Sequence, residues 1–152
     1  MRRKEKEITN QEEIRNIVHK ARVCRLAMVD GKYPYVIPLN FGFAGNSLYF
    51  HSARKGRKID ILKRNPQVCF ECELDVSIVD GEKACQWGAE FKSVIGFGNA
   101  GFVTEPGAKK EALNIIMQHY AGRSYEFTDG DVDKVTIIRV DIDSMTGKRS
   151  PA

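Results

Sequence analysis

At 152 residues the chain is long enough to bury a core of its own and reads most simply as one domain spanning residues 1–152. Its 42% hydrophobic and 29% charged residues exclude a disordered chain, and a net charge of +4 is a weak footprint for nucleic acid. No apolar run approaches the length of a membrane span. The charged start MRRKEKEIT has neither a secretory apolar region nor the stretch a twin-arginine signal needs, so a cytoplasmic protein is expected.

Thr9 followed by Glu12 forms a capping-box pattern, after which Ile14, Ile17, Val18 and Ala21 fall on one helical face. Val23 to Val29 reads as a strand ended by the turn signal Asp30-Gly31. A hairpin follows, with its turn at Gly45-Asn46. Val36, Pro38, Asn40 and Gly42 alternate with Ile37, Leu39, Phe41 and Phe43, and Leu48-Tyr49-Phe50 answers them. A short basic helix opens at Gly56, runs through Ile59 and Leu62, and stops at Asn65-Pro66.

Gln67 to Val79 predicts a long strand with Val68, Phe70, Cys72, Leu74, Val76 and Ile78 on one face, ended by Asp80-Gly81. Phe91 to Thr104 predicts another, in which Gly96, Gly98 and Gly101 mark bends or the close approach of a ligand. Pro106 opens a helix that turns Ala112, Leu113, Ile116, Met117 and Tyr120 inward, with Gly122 just past its end. Lys134 to Ile142 is the last strand. Some six strands with short turns and three outer helices predict a mainly β protein, an antiparallel barrel with flanking helices.

Two features of the hairpin exceed structural need. Pro38 lies mid-strand, where it cannot donate to a ladder, so that edge faces something other than a strand. Directly after the second strand come His51, Ser52 and Ala53, then Arg54, Lys55, Arg57 and Lys58 around one glycine; six cations face one acid, Asp60, between Arg54 and Arg64. A helix start, a hydroxyl and several cations make a phosphate seat, although a charge run is more commonly a solvated helix face. His51 is either a proton donor to a substrate or a structural residue. His19 and His119, in helical patterns with apolar flanks, read as structural.

Other signals carry less. Cys69-Phe70-Glu71-Cys72 is formally a CxxC. Residues three apart on a strand point to opposite faces, no second CxxC exists, and no metal site is expected. The four cysteines read as reduced thiols. Gly96-Phe97-Gly98 continues a strand and is too short for a dinucleotide fingerprint.

The segments PYVIPLNF, LYFHSA and GRKID resemble the nitroimidazole-resistance (Nim) branch of the pyridoxamine 5′-phosphate oxidase-like flavoproteins. Cys85-Gln86-Trp87, the run Lys92 to Gly98, and Thr146-Gly147-Lys148 recur in that order in the same group, so the resemblance runs from Arg2 to Pro151. It implies a six-stranded split barrel that binds flavin mononucleotide (FMN) between the subunits of a homodimer. Lys58 and Ser93, supported by Arg57 and Ser52, are then the phosphate candidates. Backbone groups of Ile37, Pro38, Leu39 and Asn40 would bond the polar edge of the flavin ring, with Asn40 adding its side chain. His51 borders the substrate side. Trp87 stacks near the ring or plugs a dimer interface, and Lys148 lies near the cofactor across the dimer.

The function so implied is an FMN-dependent oxidoreductase acting on a small molecule, reducing the nitro group of heteroaromatics such as 5-nitroimidazoles. Oxidation of pyridoxamine phosphate itself is less expected from so short a chain. The alternative within the fold is a flavin- or haem-binding protein without nitro chemistry, with a histidine as axial ligand. A nucleic-acid-binding barrel using Phe41, Phe43, Tyr49 and Phe50 is disfavoured, because those aromatics fall on both strand faces and read as core.

Overall fold

The structure, a computed structural model, describes residues 3–151. Arg2, where the resemblance begins, lies outside the described residues. The chain runs β1 (Glu7–Ile8), α1 (Gln11–Lys20), β2 (Cys24–Asp30), β3 (Tyr33–Leu39), β4 (Gly42–Ala44), β5 (Ser47–Ser52), α2 (Arg57–Arg64) and β6 (Gln67–Val79). It continues through β7 (Gly88–Val103), α3 (Pro106–Ala121), α4 (Asp129–Asp133) and β8 (Thr136–Ser150), with short 3-10 turns at Lys4–Lys6 and Ala84–Gln86.

The strands form one antiparallel sheet in the order β3-β2-β6-β7-β8-β5-β4, with β1 added to the far end of β8. The two ends of that order, β3 and β4, are consecutive in the chain and joined only by Asn40 and Phe41. A sheet whose opposite edges are two residues apart must curl until they meet. The result is a barrel that stays split, because β3 and β4 do not pair.

Alternation along each strand fills the interior: Cys24, Leu26 and Met28 from β2, Leu48 and Phe50 from β5, Val68, Phe70 and Cys72 from β6, and Ile138 and Val140 from β8 are all buried. Each large apolar side chain so enclosed contributes about 1.5–3 kcal/mol. Ile14, Ile17 and Val18 of α1 join the same core. Phe41, Phe43 and Phe50 are buried too, while Tyr49 is half-buried.

Several boundaries differ from the expected ones, each for a local reason. Helix α1 is capped by Asn10, whose Oδ1 accepts from the Glu13 amide at 3.0 Å, one residue after the Thr9 start. Eight strands replace six because the hairpin's first arm breaks at Asn40–Phe41 and because Glu7–Ile8 pairs with Gly147–Lys148. The last strand runs on past Ile142 to Ser150 along β7. Four α-helices replace three, since Thr128 and Asp131 cap α4.

On β6 a bulge between Leu74 and Ser77, with Asp75 at φ 55°, turns Val76 and Ile78 off the buried face, leaving them 56% and 71% exposed. The close approaches at Gly96 and Gly98 are internal. A Cβ on Gly96 would stand 2.2 Å from the Phe70 ring, and one on Gly98 would stand 2.3 Å from the Asp141 carbonyl.

Helix α3 lies outside the barrel over β4, β5 and β8, with Ala112 and Ile116 as its buried contacts and Leu113 and Met117 only half-buried. Tyr120 remains partly exposed, yet its hydroxyl accepts from the Phe41 amide at 3.1 Å and donates to the Arg22 carbonyl at 2.7 Å. It thereby pins the corner where β3 passes into β4. Tyr120→Phe should cost about 1–3 kcal/mol in urea unfolding, because it strips a part-buried amide and a carbonyl of their shared partner.

Candidate functional site

Strand β3 pairs only with β2, so its other edge is open along Tyr33–Leu39, and Pro38 stands opposite Arg25 on that edge strand. Pro34, Val36 and Pro38 face outward, while Tyr35, Ile37 and Leu39 pack against the core. The backbone of Ile37, Pro38 and Leu39 is therefore available to a ligand. Asn40 follows at the barrel corner, exposed.

Helix α2 begins next to the Asp30 end of β2. Gly56 is its N-cap, at φ 145° and with no capping side chain; the Ile59 amide donates to the Gly56 carbonyl at 2.9 Å, while the Arg57 and Lys58 amides keep the free donors at the positive dipole end of a helix start. The cations around it sort into two groups. Arg57 bonds Asp30 at 3.2 Å and lies 4.4 Å above the Tyr35 ring, Arg64 bonds Asp30 at 2.8 Å, and Arg54 reaches Asp133 at 3.7 Å. These three are struts between elements. Among the described residues no acid pairs with Lys55, Lys58 or Lys63. Lys58 is half-buried in the first turn of α2, so it is the cation of the group held closest to the fold.

Ser52 ends β5 just before this loop. It is 5% exposed, and its Oγ is the one buried side-chain polar atom without a partner among the described residues. An unpaired buried hydroxyl, an unpaired cation and free helix amides are each the kind of group that favours an anion such as phosphate. His51 precedes Ser52 and so points to the opposite face of β5, exposed, opposite Ile137 and beyond the last residue that β4 covers. Ser52 and His51 are not brought together. His51 is instead open to solvent, with no hydrogen-bond partner among the described residues.

The remaining candidates gather elsewhere. Ser93 and Lys148 stand directly opposite each other on β7 and β8, the Lys148 ammonium 5.4 Å from the Phe91 ring centre. Trp87, 57% exposed, sits at the root of β7. Helix α2 meets the other end of that strand, where Ile59 and Lys63 line a cavity with Phe102, Val103 and Thr104. Phe102 follows Ser93 by nine residues, about 30 Å of strand. One protomer therefore cannot bring Ser93 or Lys148 to the phosphate that Lys58 would hold, and the expected Lys58–Ser93 pair is not formed within the chain.

Two features escaped sequence reasoning. Arg25, on the outward face of β2, bonds Glu71 at 3.1 Å and Glu73 at 2.9 Å, and burial, with Glu73 alongside, pushes the Glu71 carboxyl up. The outward face also carries Val36, Ala27, Cys69 and Phe97 in register across β3, β2, β6 and β7, with Val36 60% and Phe97 55% exposed. Ile95 and Val29 extend this apolar surface. Both features depend on β2 lying beside β6, a pairing the local sequence does not announce.

The family profile described as pyridoxamine 5′-phosphate oxidase matches residues 10–149. The chain belongs to that family. Its structure is similar to that of a candidate 5-nitroimidazole antibiotic resistance protein of Bacteroides thetaiotaomicron, with 33% identity, a TM-score of 0.84, and coverage of 94% of this chain and 86% of the other. It is similar in fold to an FAD and haem binding protein of Mycobacterium smegmatis at a TM-score of 0.85, with 17% identity over 97% of this chain and 75% of that one. A curated relative, an uncharacterised protein of Rhizobium meliloti, is 33% identical over 64 residues, a match spanning 42% of each chain. The split-barrel expectation holds. No helix among the described residues is long and apolar enough to cross a membrane.

The orphaned hydroxyl generates a prediction of its own. Ser52→Ala should leave the ligand-free protein as stable as before or slightly more stable in urea unfolding, since an unpartnered buried hydroxyl carries a desolvation cost of about 1–3 kcal/mol. A loss of stability would mean that the hydroxyl has a partner in the folded chain.

Proposed function

We propose that this protein is a homodimeric, FMN-dependent oxidoreductase that reduces the nitro group of small heteroaromatic compounds of the 5-nitroimidazole class. The observation that carries the cofactor reading is the anion seat at the start of α2, where half-buried Lys58 has no acid to pair with and the Ser52 hydroxyl has no partner. The substrate reading rests on the likeness, at 33% identity and over nearly the full length, to the candidate 5-nitroimidazole antibiotic resistance protein.

In this reading Lys58 and the first-turn amides of α2 hold the phosphate, with Arg57 supporting from its strut between Asp30 and Tyr35. The open edge of β3 offers the backbone groups of Ile37 and Leu39 to the polar rim of the ring, and Pro38 keeps a second strand from adding there. FMN, when bound, supplies the electron pair. Exposed His51 gives a proton to the reducing nitro group. More than one two-electron cycle is needed to reach the amine, and completing the reduction avoids reactive partial products.

The strand length between the two groups of candidates favours a dimer. Ser93, Lys148 and Trp87 would serve the cofactor of the partner subunit, and the apolar face with Val36, Ile95 and Phe97 would be covered by the second copy.

The absorption spectrum of the purified protein tests this reading first. Released FMN supports it and opens anaerobic assays with nitroimidazoles. A Soret band instead would favour haem binding, the property named for the M. smegmatis neighbour. A colourless protein that takes up no FMN would leave only the fold.

Two variants test the residue roles. Lys58→Ala should weaken FMN binding about tenfold or more by titration calorimetry, as expected for the loss of a charge-assisted phosphate contact of roughly 1.5–3 kcal/mol. His51→Ala should lower nitro-reduction turnover about 10²-fold while leaving FMN affinity nearly unchanged, and wild-type kinetics would remove it from the chemistry.

A further inference from the structure

The four cysteines are sorted by strand geometry. Cys85 is exposed in the 3-10 turn before β7, and Cys69 and Cys72, three apart on β6, point to opposite faces. Cys24 and Cys72 are different. They stand directly opposite each other in the β2–β6 ladder, and both are 0% exposed.

Directly opposed residues of an antiparallel pair have Cα atoms about 4.5–5.5 Å apart, inside the range of about 4.4–6.8 Å that a disulfide spans. Their Cβ atoms, about 4.5–5.5 Å apart, need to draw together by roughly 1 Å to reach disulfide geometry. Nothing in the proposed chemistry uses this pair.

We propose that Cys24 and Cys72 form a redox-modification site, a cross-strand dithiol that closes to a disulfide stapling β2 to β6, with a low-molecular-weight disulfide such as glutathione disulfide as the oxidant. One cysteine thiolate attacks a sulfur of glutathione disulfide, forming a mixed disulfide and releasing one glutathione. The second thiolate then attacks the protein sulfur of that mixed disulfide and releases the other. The two cysteines lose two electrons, glutathione disulfide gains them, and the two thiol protons end on the released glutathiones.

The facing Cys72 thiol and burial hold the Cys24 thiol well above its ordinary range, so the thiolate is scarce while the barrel is closed. Exchange therefore proceeds during folding or on opening of the β2–β6 ladder, and is slow in the closed protein. The staple would lie in the row Leu39–Cys24–Cys72–Val94, directly behind the end of β3.

The test is refolding of the full chain from denaturant in glutathione redox buffers of graded ratio, followed by acid quenching, thiol counting and peptide mapping. The double variant Cys69→Ser, Cys85→Ser, in which both buried cysteines remain, is run alongside. The expected result is loss of two free thiols, a digest peptide joining Cys24 to Cys72, recovery with dithiothreitol, and at least a tenfold greater preference for this bond in refolded than in denatured chain. Glutathione adducts alone, links only through Cys69 or Cys85, or equal formation in the denatured chain would overturn the proposal.

Discussion

The structure depends on a two-residue connection. Asn40 and Phe41 join strands that lie at opposite ends of a seven-strand path, with β1 added at its side, so the sheet can satisfy its backbone only by curling into a split barrel. The corner is held from both sides. The Tyr120 hydroxyl takes the Phe41 amide, and Gly42 lets α3 approach so closely that a Cβ there would stand 2.7 Å from the Ile116 amide. The same corner keeps β3 unpaired on its outer side. Barrel closure and the open edge that recommends itself as a ligand edge thus have one cause.

Charge around α2 obeys a similar economy. Six cations gather beside one acid in the chain, but the folded protein neutralises Arg57 and Arg64 with Asp30 and Arg54 with Asp133, using them to fasten the helix and its leading loop. Lys55, Lys58 and Lys63 are left over, and of these Lys58 is the one in the helix's first turn and partly withdrawn from solvent. Exposed ion pairs of this kind contribute little to stability, about 0–1 kcal/mol each. Their consequence is the selection of the cations that remain free for an anion.

The long strand β7 separates two groups of polar residues, and with β3, β2 and β6 it presents an apolar outer face. A free chain gains nothing by exposing Val36, Ile95 and Phe97 together, and a surface of this kind is most economically covered by another protein surface. The separation of Ser93 and Lys148 from α2 along β7 is the observation from which the proposed dimer is argued.

Much was legible in the sequence. The hairpin turn at Gly45-Asn46, the proline-marked edge at Pro38, the basic helix from Gly56 and the inward alternation of β2 and β5 are set by local propensity and period, which need no distant partner. Reading those segments against a known family also gave the fold. What the sequence could not fix is what depends on non-local pairing. The break at Asn40–Phe41 looks like continued alternation until α3 packs on it, and the bulge at Asp75 turns Val76 and Ile78 outward although their spacing marks them as core. Which cations are struts, which strand faces Cys24, and how far Ser93 lies from Lys58 were decided only when β2 came to lie beside β6 and α2 docked at the far end of β7. Local periodicity determines elements; the distances between their side chains belong to the tertiary structure, because strand partners are chosen across the whole chain.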